Sequence, residues 1–151
     1  MTAVDPADDP SARQAWMGLL ARAAPDRVTK LFPELPAHVV LRAPEVGAVM
    51  VRGRIGGVGQ PFNLGEMTVT RCSVSLAEGA VGHAHVQGRD KGHAIRAALI
   101  DALMQTKQAD RVRVAVLEPL TAEEQVQRTN RAAKAAATKV EFFTLVRGED
   151  P

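Results

Sequence analysis

Tyrosine is absent from this 151-residue chain, and Trp16 and four phenylalanines are its only aromatics. Its core must therefore be Val, Leu, Ile, Ala and Met, with Trp16, Phe32, Phe62, Phe142 and Phe143 as the few large pieces. Much of the 46% hydrophobic content is alanine, which buries little area and leaves room for a partner in the chain's stability. Cysteine is nearly absent too. Cys72 stands alone, which excludes an intrachain disulfide and a Cys-rich metal site and fits a reducing cytoplasm. No apolar run approaches the ~20 residues of a membrane span. There is no polybasic run and no interleaving of aromatic with basic residues of the kind that reads RNA. Nineteen basic against seventeen acidic residues give a net charge of +2, too mild for a typical nucleic-acid binder. The opening MTAVDPADDPS is acidic and Pro-bearing, unlike a signal or transit peptide. The expectation is a cytoplasmic protein with neither membrane nor nucleic acid as partner.

What is present reads as one α+β domain, residues 11–151, after a disordered tail over 1–10. Ser11 with Gln14 has the form of a capping box, and the helix after it puts Trp16, Leu19, Leu20 and Ala23 on one face. Pro25–Phe32 reads as a second short helix. Val39–Arg42 and Ala48–Ile55 read as strands separated by a turn at Ala43–Gly47. A Gly-rich loop, Gly56–Gly65, leads to a strand over Glu66–Leu76 that alternates Cys72, Val74 and Leu76 on one face with Val69, Arg71 and Ser73 on the other. Glu78-Gly79 is a hairpin turn before a strand at Val81–Gln87. Short turns imply an antiparallel meander of about four to five strands with flanking helices. Asp90 is placed to cap a helix running to about Lys107, with Ile95, Leu99, Ala102 and Leu103 toward the sheet. Val112–Leu117 reads as a further extended segment. Thr121 with Glu124 forms a second capping box, and the helix to about Thr138 has little apolar to bury. Val140–Arg147 is apolar on both faces, a strand covered on two sides.

The densest segment is VQGRDKGHAIRAALIDALM, Val86–Met104. An apolar strand end runs through Gln87, Gly88, Arg89, Asp90, Lys91 and His93 into an amphipathic helix. Such a corner suits an anion or a partner. Arg52 or Arg54 would lie near Arg71 on one sheet face, and these arginines with Arg89 and Lys91 suit phosphate or carboxylate recognition; an exposed, salt-bridged face is the plainer reading. Gly56, Gly57 and Gly59 can bring amides near a phosphate, but the loop lacks the Gly-Lys-Ser/Thr ending of a P-loop and joins two strands; a hairpin loop needing positive φ is the simpler account. His83 and His85 share one strand face, and with His93 they are a possible zinc set; solvent-facing polar histidines are the default. Cys72 reads as a small core residue. Phe142 and Phe143 put one ring on each face of their strand, either both in the core or one in a partner. No triad or carboxylate pair stands out, so no complete active site can be assembled, and that favours a subunit.

Three blocks resemble one family. They are RQAWMGLLARAA at Arg13–Ala24, GRIGGVGQPFNLGEMTVTRCSV with VQGRDKGHA inside Gly53–Gly92, and VEFFTLVRGED at Val140–Asp150. In order and spacing they resemble the PhnG family, the G subunit of the carbon–phosphorus lyase core complex. The resemblance implies a role in bacterial phosphonate breakdown. There, with the H, I and L proteins, a phosphonate oxygen attacks C1′ of ATP, adenine leaves, and an α-D-ribose 1-alkylphosphonate 5-triphosphate forms. A J subunit, a radical enzyme, later breaks the C–P bond. The implied role for this chain is a non-catalytic, activating subunit bound directly to I, with H and J in the core complex and L acting functionally. It would hold no cofactor or metal, with ATP and Mg as substrate of the complex. Gln87 to Lys91, His93, the loop glycines, Phe142, Phe143, Arg147 and Gly148 fall on the family's motifs, none with an implied catalytic role. His83 and His85 do not. The alternatives are a stand-alone phosphate- or nucleotide-binding module built on the arginines and Gly-rich loop, and a small metal-dependent hydrolase built on the histidines.

Overall fold

The computed structural model describes residues 10–140. The expected final strand, with Phe142, Phe143 and Arg147, lies outside them, as does nearly all of the expected tail. The elements follow as helix α1 (Pro10–Arg22), α2 (Pro25–Leu31), strand β1 (His38–Arg54), β2 (Pro61–Leu76), β3 (Val81–Gln87), then α3 (Lys91–Leu103), α4 (Ala109–Val112) and α5 (Glu118–Ala137). The α+β class stands. Among the described residues the sheet has three antiparallel strands in the order β1-β2-β3, against the four to five expected.

The difference has two causes. Val39–Arg42 and Ala48–Ile55 are one continuous strand, because Ala43–Gly47 makes irregularities in the pairing and no turn: the register shifts at Val40/Arg42 and again at Arg42/Glu45. Pro44 is tolerated there because β1 is an edge strand, where a missing N–H loses no ladder bond. Val112–Leu117 is helical. Arg113–Leu117 forms a widened π-type turn just before α5. Pro119 has no N–H to give and its ring crowds the carbonyl four residues back, so the helical ladder is interrupted upstream of it. Helix α5 consequently begins at Glu118, earlier than the Thr121 box implies. The Thr121 hydroxyl donates back to Leu117 O at 2.7 Å and caps nothing. Helix α1 already includes Pro10, so Ser11 lies in its first turn.

The core sits between one face of the sheet and α1, α2 and α3. Cys72, Val74 and Leu76 of β2 and Ala84 and Val86 of β3 face Ala94, Ala97, Ala98, Leu99 and Ala102 of α3, with Trp16, Leu19, Leu20 and Val28 closing the side. Alanine explains the close helix-to-sheet approach. A Cβ built on Gly82 of β3 would stand 1.8 Å from Ala98 O and 2.8 Å from Ala102 Cβ. The Glu78-Gly79 turn forms as expected, with Gly79 at φ 94° and Leu76 N donating to Ala80 O at 2.9 Å. The distal halves of β1 and β2 extend past this core as a two-stranded ribbon.

Candidate functional site

The strand-to-helix corner is built largely by its own backbone. Gly88 takes φ 91°, donates to Thr68 O at 2.9 Å, and accepts the buried Thr70 hydroxyl at 2.8 Å. Asp90 is the N-cap of α3 as expected, its Oδ1 accepting His93 N at 2.8 Å. Gly88 and Asp90 are thus accounted for by folding. Arg89 and Lys91 are exposed, and no described residue pairs with either. Gln87 leaves the corner on the other side, into a cleft between α1 and α5.

His93 does not belong to the corner's surface. It is 1% exposed, with Nε2 2.8 Å from Leu20 O, so the ring N–H ties α3 to the C-terminal turn of α1, where helix carbonyls lack partners. That assignment leaves Nδ1 as a buried acceptor without a partner. Burial holds the imidazole below its ordinary pKa, against the opposing pull of the Leu20 bond and the Asp90 charge.

The expected arginine cluster does not form. Arg71 lies opposite Glu45 of β1 and bonds it at 3.3 Å, and Arg42 reaches the same carboxylate at 3.3 Å. Arg52 lies opposite Asn63 and Arg54 opposite Pro61, near the ribbon's tip. Arg52 is thus seven residues along the strand from Arg71's partner, on the order of 20 Å at about 3.3 Å per residue. Arg54 is turned onto its own loop, Nη1 donating to Gly59 O at 3.2 Å. The loop itself closes as a tight turn, with Gly56 at φ 62°, Gly57 at φ 84°, and Gly59 N donating to Ile55 O at 2.8 Å. This is the hairpin reading, with the Gly59 amide spent within the turn.

His83 and His85 lie on the exposed face of β3. The Ser73 hydroxyl is 2.8 Å from His83 Nδ1. His93 points into the core on the other side, and among the described residues no three His, Cys, Asp or Glu side chains converge to hold a metal. Cys72 is buried, which pushes its thiol pKa up and away from nucleophile chemistry.

The residue that sequence reasoning missed is Asp101. It is wholly buried in α3 and accepts four bonds: from Arg13 Nε at 3.1 Å and Nη2 at 2.7 Å, from Trp16 Nε1 at 2.9 Å, and from His83 N at 2.9 Å. The last of these satisfies a backbone amide of β3 on the edge that faces no strand. Gln105 does the same for Val81 O at 2.8 Å. The signal was available: a carboxylate between Ile100 and Ala102 on an apolar helix must have a buried partner.

These features define a class: a small α+β protein whose strongest polar constellation is structural and whose described residues bring no catalytic set together. The chain matches the family model for phosphonate metabolism protein PhnG over residues 11–148. It is 44% identical, over 156 aligned positions and 99% of each chain, to the alpha-D-ribose 1-methylphosphonate 5-triphosphate synthase subunit PhnG of Rhizobium meliloti (strain 1021). The chain belongs to the PhnG family of phosphonate-metabolism proteins.

Proposed function

We propose that this chain is the G subunit of an α-D-ribose 1-methylphosphonate 5-triphosphate synthase, a multi-subunit enzyme to which it contributes structure and activation and no catalytic group. The observation that carries this reading is the 44% identity over 99% of both chains. The site agrees with it: the family's polar corner builds a helix cap and an interior histidine, and leaves Arg89 and Lys91 outward for a neighbour. The I subunit is the direct partner, with H and J in the core assembly and L acting functionally. The chain itself holds no cofactor, and Mg·ATP is the substrate of the assembly. The setting we propose is the cytoplasm, a reducing compartment that the lone Cys72 fits.

The β1–β2 ribbon supports a large interface. Met50, Ile55, Val58, Phe62 and Leu64 are all exposed on it, with Val58 at 90%. An obligate interface buries about 2,000 Å² or more. The test is co-expression with the cognate I subunit, size exclusion, and assay of adenine release from ATP and methylphosphonate by the assembled proteins. Co-elution and loss of adenine release when this chain is omitted are expected. Separate elution with undiminished release would sink the proposal.

A further inference from the structure

The cleft that receives Gln87 lies open between the α1–α2 turn and α5, with a volume of about 330 Å³. Four guanidinium groups line it, Arg22 and Arg27 on one wall and Arg128 and Arg131 on the other, against two carboxylates, Glu123 and Glu124. The ion pairs divide them unequally. Arg22 grips Glu124 with a fork, at 2.7 and 3.4 Å. Arg27 grips Glu123 through Nε at 3.0 and 3.1 Å and through Nη2. Those two pairs stitch α5 to the α1–α2 turn and are neutral. Arg128 has only a 3.5 Å contact to the carboxylate already held by Arg22, and Arg131 has no carboxylate partner among the described residues. Both glutamates are held below their ordinary pKa by their arginines, so they are charged at neutral pH. Two positive charges remain in excess.

Folding accounts for part of this surplus, since Glu124 and Arg128 form an i,i+4 pair along α5. Arg131, three residues on from Arg128, adds a like charge on the same helix face, which opposes the helix. The side-chain amide of Gln87 faces the same space and bonds to no described residue. Planar guanidinium forks match phosphate oxygens two at a time, and an amide adds a neutral donor. The uncommitted donors stand on two elements, Arg128 and Arg131 on α5 and Gln87 at the end of β3, which suits a chain of phosphates bridging them better than a single compact anion.

We infer that the cleft between the α1–α2 turn and α5 is a binding site for a polyphosphate chain, held by Arg128, Arg131 and Gln87 with Arg22 and Arg27 at its other wall. The inference rests on this geometry and stands or falls apart from the complex reading, although a triphosphate is the group that reading would bring to the assembly.

The test is calorimetric titration of the full chain with sodium tripolyphosphate, ATP, AMP and citrate. Tripolyphosphate should bind saturably, more weakly as salt rises. ATP should match it within about threefold, and AMP and citrate should bind at least about tenfold more weakly. The double variant Arg128→Glu/Arg131→Glu should weaken tripolyphosphate by at least about tenfold, while Arg52→Glu/Arg54→Glu, which removes the same charge from the ribbon, should change it less than about twofold. A melting curve confirms that each variant is folded. No saturable heat with the parent chain overturns the assignment. So does equal loss in both double variants, or citrate binding as tightly as tripolyphosphate, since either leaves only a general cationic surface. ATP binding without tripolyphosphate binding overturns it as well.

Discussion

Strand β2 lives in two environments. Its C-terminal half, Cys72 to Leu76, alternates buried and half-buried residues against α3. Its first six residues, Pro61 to Glu66, are exposed on both faces. Glycines mark the same division. A Cβ on Gly82 would collide with the backbone of α3, whereas Gly65 on the ribbon has open space around it. The body is therefore a place where sequence specifies packing. The ribbon is held by cross-strand pairing and its turn, and a lone two-stranded hairpin is marginal in water. Its large apolar side chains, Ile55, Val58 and Leu64 among them, are exposed in the isolated chain. They are informative because nothing intramolecular explains them.

The sharpest way to break this contrast is inside the body, at Asp101. Asp101→Ala leaves Trp16 Nε1 and His83 N without their acceptor and Arg13 without its counter-charge. The expected loss is about 3–5 kcal/mol, the range for breaking a buried pair. Urea unfolding reads it directly; a loss under about 1 kcal/mol would show that water replaces the carboxylate and that the hub is not what joins α1, α3 and β3.

Gly82→Ala comes next. The new methyl meets Ala98 O at 1.8 Å, a backbone atom that cannot rotate aside, so α3 must lift from the sheet. Overpacking of this kind costs about 1–3 kcal/mol. Gly65→Ala on the ribbon is the matched control and should leave the midpoint nearly unchanged.

A smaller effect is expected from pH. His93 is buried with a pKa lowered from its ordinary 6.5, so the unfolded state binds the proton more readily than the folded one. Stability from this group is whole above pH 6.5, falls as pH drops below that value, and levels off once the folded-state pKa is passed. His93→Gln keeps an N–H for Leu20 O and removes the titration. Thermal melts between pH 8 and 5 should show a slope for the parent that the variant lacks, and parallel slopes would assign the proton elsewhere.

Much of this was legible from sequence where local chemistry decides. The Asp90 cap, the Glu78-Gly79 turn, the inward Cys72, Val74 and Leu76, and the outward His83 and His85 follow from caps, turns and a period of two. What was not legible depended on register or on long-range partners. Strand alternation groups Arg52, Arg54 and Arg71 by face, but pairing sets Arg71 within the three-stranded sheet and Arg52 and Arg54 near the ribbon's tip. Pro44 read as a turn because its edge position cannot be known before strand order. His93 sits in a run of polar residues, and only the capped helix turns it inward. The Arg22–Glu124 and Arg27–Glu123 pairs join positions about a hundred residues apart, and no local pattern predicts them.

The smallest stability effect should come from the ribbon, and it is the one that most sharpens the comparison. The triple substitution Ile55→Ser, Val58→Ser and Leu64→Ser removes three side chains that are exposed in the isolated chain. Surface changes of this kind shift stability by about 0.5 kcal/mol or less. A drop comparable to Gly82→Ala would mean that these side chains pack intramolecularly, and the ribbon would then be part of the body. With the melting midpoint held, the same variant should fail to co-elute with the partner we propose, a cognate I subunit, because an apolar anchor at an interface is worth about 2 kcal/mol or more. Unchanged folding with lost association separates the two functions of one strand. Unchanged association would place the interface elsewhere, with the outward Arg89 and Lys91 of the corner as the next positions to reverse in charge.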